Sequence, residues 1–227
     1  RKNTKNVNLE IIEISKKVDK CVFVSDWLKD QIFGDVEKSK KLTIRNGANN
    51  LIFSKKKITH FRKEKINIVT HHFSNNISKG YDIYEELNKV LEDDVMSKKF
   101  SFTIIGNHPK NLKFNNTKLI KVMTTSEISE ELKKYDLYIT ASINEPGPNH
   151  VVEALSSGLP VLYSNSGSME EYVSEFGVKF SKENFVNKLN FCFENLELLE
   201  KKLEKYDYSS EIMCKKYFEL FRKLIDG

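Results

Sequence analysis

The sequence predicts an α/β fold, a Rossmann-like parallel sheet flanked by helices, and three observations carry that prediction. Short apolar runs alternate with helical stretches from about residue 66 to residue 180. Strands separated in this way by helices pair in parallel through right-handed crossovers. One unit, Glu145-Pro-Gly-Pro-Asn-His-Val-Val-Glu153-Ala-Leu-Ser-Ser-Gly-Leu-Pro-Val-Leu-Tyr163, reads as loop, helix and strand with sharp boundaries. The last stretch, 182–225, is helical by its apolar spacing.

Each element has its local reason. Residues 18–25 read as a strand, 26–33 as a helix, and 41–45 as a strand that ends at the turn Asn46-Gly47. The strand Ile66-Asn-Ile-Val-Thr70 follows, then a helix over 81–91, strands at 100–105 and 118–122, and a helix over 126–134. A strand at 137–140, the helix after Pro148, a strand at 161–164, a short helix over 169–176 and a strand at 178–180 complete the sheet. In the tail, Phe185, Leu189, Leu196, Leu199 and Leu203 recur at helical spacing, as do Tyr217, Phe218, Phe221 and Leu224, and core packing accounts for them.

The helix after Glu145 is the best defined. Pro148 presets a backbone angle suited to a first turn, Val151, Val152, Ala154 and Leu155 give an apolar face, and Gly158 with Pro160 stops it. The amides of Asn149, His150 and Val151 are expected at its start, where their dipoles favour an anion such as a diphosphate. Glu145 lies in the loop before them and Glu153 one turn deeper. Carboxylates beside phosphates repel unless they bind sugar hydroxyls. The plainer alternative makes Glu145 a solvated loop acid and Glu153 a helix-dipole partner.

Composition bounds the rest. A chain of 227 residues with 39% hydrophobic content can bury one sizeable core. No apolar run approaches the 20 or so residues of a membrane span, and no signal peptide is evident, so a soluble chain is expected. Opening on Arg1, it reads as a fragment. Cys21, Cys192 and Cys214 have neither CxxC spacing nor an even count, which favours neither a disulfide framework nor a zinc site and fits a reducing cytoplasm. The net charge of +5 is spread, with clusters at Lys38, Lys40 and Lys41 and at Lys55, Lys56 and Lys57. These read as solvated surface, with a weak attraction to anionic lipid headgroups as the one peripheral membrane contact they allow. No motif accompanies them that would support nucleic-acid binding.

Glu145-x7-Glu153 with Ala-Leu-Ser-Ser-Gly-Leu-Pro-Val resembles the donor-site signature of the retaining glycosyltransferases of family 4, which have the two-domain GT-B fold. The neighbours match too. Lys79-Gly80-Tyr81-Asp82 resembles the family's Lys-Gly-x-Asp, and Phe102-Thr-Ile-Ile-Gly106 its strand ending at glycine. Leu132-x3-Asp136-Leu-Tyr-Ile-Thr-Ala-Ser142 is similar to the helix and strand before the first glutamate. Ser166-Gly167-Ser168-Met-Glu-Glu-Tyr-Val173 is similar to the loop and helix that close the donor pocket. The likeness covers residues 18 to 180 or so.

The resemblance implies the C-terminal half of a GT-B enzyme: residues 1–60 as the tail of the acceptor domain and its linker, and residues 61–227 as the donor domain with C-terminal helices. It implies transfer of a hexosyl-type sugar from a UDP- or GDP-linked donor to a glycan or lipid acceptor bound by the other domain, with retention, no metal and no cofactor. Glu145 would bind the transferred sugar and support charge at the reacting carbon. Glu153 would take the ribose hydroxyls. Lys79, next to Gly80, would neutralise the leaving diphosphate, joined at the helix start by Pro148 and the amides of Asn149, His150 and Val151, and by the amides of Ser166, Gly167 and Ser168. A role in cell-envelope or polysaccharide synthesis follows for such an enzyme.

The departures are specific. The family's arginine about five residues before the lysine is absent, with Ser74 and Asn75 in that region, and its Gly-Phe-Gly after the first glutamate is Pro146-Gly147-Pro148. His71 and His72 lie near the first gap, but adjacent strand residues alternate faces and do not chelate one metal together. Two other readings stand beside the transferase: a nucleotide-sugar epimerase or glycogen-type synthase of similar architecture, and a noncatalytic nucleotide-binding module.

Overall fold

The computed structural model describes residues 4–32, 36–55 and 64–226. A helix, Thr4–Ser15 (α1), precedes the strand Cys21–Phe23 (β1), the helix Asp26–Ile32 (α2) and the strand Lys41–Thr43 (β2). β1 and β2 pair in parallel as a separate two-stranded sheet. Phe33, expected to end the helix, lies outside the described residues, as does the expected domain boundary near residue 60 with Lys56 and Lys57.

Six further strands make the main sheet: Ile66–His72 (β3), Phe100–Gly106 (β4), Thr117–Ile120 (β5), Leu137–Thr140 (β6), Val161–Ser164 (β7) and Gly177–Phe180 (β8). Their order is β5-β4-β3-β6-β7-β8, with every pair parallel. Helices Tyr81–Val90 (α3), Asp94–Lys99 (α4), Thr125–Leu132 (α5), Asn149–Ser156 (α6) and Met169–Val173 (α7) make the crossovers, and Phe185–Glu194 (α8), Leu196–Lys202 (α9) and Ser210–Asp226 (α10) follow the last strand.

The period of two along each strand sorts side chains into two cores. Ile66, Ile68, Phe102, Ile104, Leu137, Ile139 and Leu162 pack with Tyr84 and Leu87 of α3 and with Phe185 and Leu189 of α8. Val69, Ile105, Tyr138, Val161 and Tyr163 pack on the other face with Leu132 of α5, Val151 and Leu155 of α6, and Tyr172 of α7. Burying each large apolar side chain is worth roughly 1.5–3 kcal/mol. That two-sided burial is why the central strands read as near-continuous apolar runs.

Local chemistry explains where the elements differ from expectation. α4 was not predicted; Asp93 caps it by accepting the Val95 and Met96 amides, each at 3.0 Å. β5 ends at Ile120 because Val122 turns out of the sheet to line a cavity. The tail is three helices, interrupted at Asn195 and after Leu203. All three cysteines are free thiols, and burial pushes Cys192 up to about 12.

Candidate functional site

Pairing between β3 and β6 involves only Ile68 with Leu137 and Val69 with Tyr138, whereas β3 runs on to His72. The two strands therefore part at their C-terminal ends, where the order reverses direction, and ligands of open α/β sheets bind in that crevice. His71 and His72 close one side and Thr140, Ala141 and Ser142 the other.

Lys79 comes next along the chain. Asn76 starts the turn Ile77–Lys79 by accepting the Ser78 amide at 3.0 Å, and Gly80 ends it with φ +88°. A Cβ on Gly80 would stand 2.4 Å from Ala141 Cβ, so only glycine lets this turn lie against the end of β6. Held there, Lys79 Nζ is 2.6 Å from Glu145 Oε2, with both side chains mostly buried. Ser74 serves its own turn, accepting the Asn76 amide at 3.1 Å, and supplies no replacement for a cation.

The loop after β6 is built around Glu145. Asn144 adopts φ +52° and donates its amide to Ser166 Oγ at 2.8 Å. Ser168 grips the Glu145 carbonyl twice, by its amide at 2.9 Å and its hydroxyl at 3.0 Å. Gly167, at φ +64°, passes so near that a Cβ would lie 2.4 Å from the Glu145 amide nitrogen. These contacts correct one expectation: the Ser168 amide is bound to Glu145 and the Ser166 amide to Ser164 O at 2.9 Å, so neither points into the crevice. Ser166, Gly167 and Ser168 pack against and hold Glu145, and the two serine amides are taken up within this turn.

The start of α6 is corrected likewise. Pro148 is buried at the cap position, the Asn149 amide bonds Gly147 O at 3.0 Å and the Val151 amide bonds Pro148 O at 2.9 Å. Among the described residues, no bond is formed by the His150 amide, which leaves it as the free donor of the three. The His150 ring points inward, its Nε2 3.1 Å from Thr140 Oγ1. Asn149 Oδ1 accepts from Asn46 Nδ2 at 2.7 Å.

Glu153 meets a partner that sequence reasoning did not assign: His71 Nε2 is 2.8 Å from its Oε2. Neither glutamate is thus a solvated acid or a simple helix-dipole partner. Alternation along β3 sends His71 to the face of α6 and His72 to the face of α3, where it stacks on Tyr84 and bonds its hydroxyl at 2.8 Å. Burial holds His72 and His150 well below the ordinary histidine value, so both are neutral, and burial raises Tyr84 and Tyr138. Among the described residues, no three histidine, cysteine or acidic side chains gather as a metal site.

Glu153 borders a cavity of about 100 Å³ lined by Phe53, His71, Gly106, Val122, Met123 and Ile128. A second, of about 320 Å³, joins Glu153 to Asn46 and Asn149. Glu145, turned onto Lys79, lines neither.

A latch from the N-terminal segment completes the site. Glu171 on α7 accepts the Asp26 and Trp27 amides, at 2.9 and 2.6 Å, and caps α2 across 145 residues of sequence. Arg45 lies 3.3 Å from the same carboxylate and 3.1 Å from the Tyr208 hydroxyl. Tyr172 donates its hydroxyl to Val24 O at 2.6 Å and accepts the Asn46 amide at 3.0 Å.

An open, all-parallel sheet of this order with helices on both faces is a doubly wound, Rossmann-like α/β fold. The chain belongs to the glycosyl transferases group 1 family, whose model matches residues 52–210. Solved structures share the fold. The sucrose-phosphate synthase of Thermosynechococcus elongatus superposes with a TM-score of 0.76 at 13% identity, over 99% of this chain and 63% of its own. HepE of Anabaena, solved with UDP and glucose, gives 0.76 at 14% identity, over 97% of this chain and 68% of its own. The pneumococcal O-GlcNAc transferase GtfA, solved with UDP and GlcNAc, gives 0.71 at 13% identity, over 98% of this chain and 48% of its own. The chain thus spans less than two thirds of the length of several of these proteins. No curated protein sequence matches it at a significant level. No helix among the described residues is long and apolar enough to cross a membrane.

Proposed function

We propose that the chain is the donor-binding half of a retaining glycosyltransferase of family 4, which moves a hexosyl-type sugar from a UDP- or GDP-linked donor to a glycan or lipid acceptor. Glu153 carries the reading: a half-buried carboxylate, held by His71 at 2.8 Å, at the edge of an apolar slot at the sheet's C-terminal ends. Such a slot suits a planar base, and a carboxylate at its rim accepts hydrogen bonds from ribose hydroxyls.

Lys79 then meets the diphosphate. An ammonium has three N–H donors, and with one on Glu145 at 2.6 Å the others serve phosphate oxygens. The His150 amide adds a donor at the helix start. Charge on the leaving group is neutralised by these groups, and neither metal nor cofactor enters the scheme. Glu145, anchored through its carbonyl by Ser168, binds hydroxyls of the transferred sugar and opposes the positive charge that grows as the glycosidic bond loosens. UDP in the HepE and GtfA structures supports a uridine donor. In this reading residues 1–60 end the acceptor domain, residues 61–227 form the donor domain, and the enzyme works in the cytoplasm, with peripheral membrane contact, on envelope or polysaccharide precursors.

Calorimetry of the chain with UDP- and GDP-sugars tests this. Binding of one class is expected, and Glu153→Ala abolishes it. A folded chain that binds no activated sugar rules the reading out.

A further inference from the structure

The His71 imidazole sits between β3 and α6, with 11% of its side chain exposed. Its Nε2 faces Glu153 Oε2 at 2.8 Å. An ionised carboxylate only accepts, so Nε2 carries the hydrogen. The opposite ring atom, Nδ1, is buried with no hydrogen-bond partner among the described residues. Its surroundings are rings: Tyr138 edge-on at 5.5 Å and His150 edge-on at 6.3 Å between centroids. The Tyr138 hydroxyl accepts the backbone amide of His71 itself at 3.1 Å. A second hydrogen on Nδ1 would be a buried donor with no acceptor among the described residues, so a bare lone pair there is the cheaper arrangement.

We propose that His71 is a positioning residue, an imidazole whose Nε2–H fixes the Glu153 carboxylate so that Oε1 and the remaining lone pair of Oε2 meet the two ribose hydroxyls of a bound nucleotide. This rests on the ribose-binding reading of Glu153. Its consequence is that affinity gained from the ribose passes through His71. A hydrogen bond to Glu153 is what His71 supplies.

The test compares calorimetric affinities for UDP and GDP, and for the 2′-deoxy and 3′-deoxy forms of whichever binds, in the wild-type chain, His71→Gln and His71→Leu. The leucine variant is expected to bind the ribonucleotide about tenfold more weakly and the deoxy forms nearly unchanged, which collapses the ribose discrimination. Glutamine carries an N–H donor at a similar reach and restores most of it. A role confined to packing would weaken all nucleotides alike. If the wild-type chain binds no nucleotide, the donor-binding reading fails and this inference with it. If it binds and discriminates while His71→Leu keeps the same ratio, only the inference fails. Should the leucine variant not fold, nitrogen-15 NMR of the wild-type imidazole decides: a hydrogen held on Nε2 and bonded to the Glu153 carboxylate is expected, and a ring with its hydrogen on Nδ1 and a bare Nε2 overturns the proposal.

Discussion

The acids at the crevice are each bound to a base from the other side of the switch point, and this governs what single substitutions do. Lys79→Ala would leave Glu145, whose side chain is 15% exposed, without its partner. A loss of roughly 1–3 kcal/mol in stability is expected from thermal melts, together with weaker binding of nucleoside diphosphates than of nucleosides lacking phosphate. Equal weakening of both would remove Lys79 from the phosphate site. The two buried histidines give a sign for pH. Both His72 and His150 are held below the unfolded value of about 6.5, so below that pH the unfolded chain binds protons that the folded chain does not. Stability then falls with acidification from about pH 6.5 downward, by up to about 1.4 kcal/mol per pH unit for each ring. Replacing His72 by Gln should flatten the melting temperature profile in that window; an unchanged slope would show that another group titrates there.

Among the elements, the turns matter more than the helices for holding the site. Gly80 and Gly167 both have positive φ, and a Cβ at either would meet another backbone or side-chain atom at 2.4 Å. Gly167→Ala is expected to push the loop away from Glu145, destabilise the chain by about 1–3 kcal/mol and weaken sugar-nucleotide binding. Gly80→Ala displaces Lys79 in the same manner. Nucleotide affinity at the wild-type level in either variant would mean that the turn does not set the site. The family likeness singled out both glycines, and apolar patterning placed the strands at 137–140 and 161–164 at their observed bounds. The short α4 escaped because its apolar content is slight, although Asp93 is a recognisable cap. Helix amides were harder to judge: α6 was anticipated, but the bonds of Asn149 and Val151 depend on how Pro146, Gly147 and Pro148 fold back.

For the molecule as a whole, Glu171 is the joint between the N-terminal segment and the sheet. It caps α2, faces Arg45, and stands on the helix that follows the Ser166 to Ser168 turn. Glu171→Ala should therefore speed hydrogen exchange at the Asp26 and Trp27 amides and lower the melting temperature. If those amides exchange at wild-type rates, the segment is held by Tyr172 and Asn46 instead.

Sequence alone determined the α/β class, the parallel pairing of the central strands and the face that each strand residue takes, because periodicity and turn chemistry are local properties of the chain. It also marked Glu145, Glu153 and Lys79 as a set, through the family pattern they carry. Tertiary structure decided their partners. Lys79 and Glu145 are 66 residues apart and His71 and Glu153 are 82 apart. Alternation turned His71 toward the α6 face, but no local rule states which carboxylate lies across a crevice. That is settled only when β3 and β6 part and α6 packs between their loops, since the energy of an acid–base contact depends on a distance that folding, and not spacing along the chain, sets.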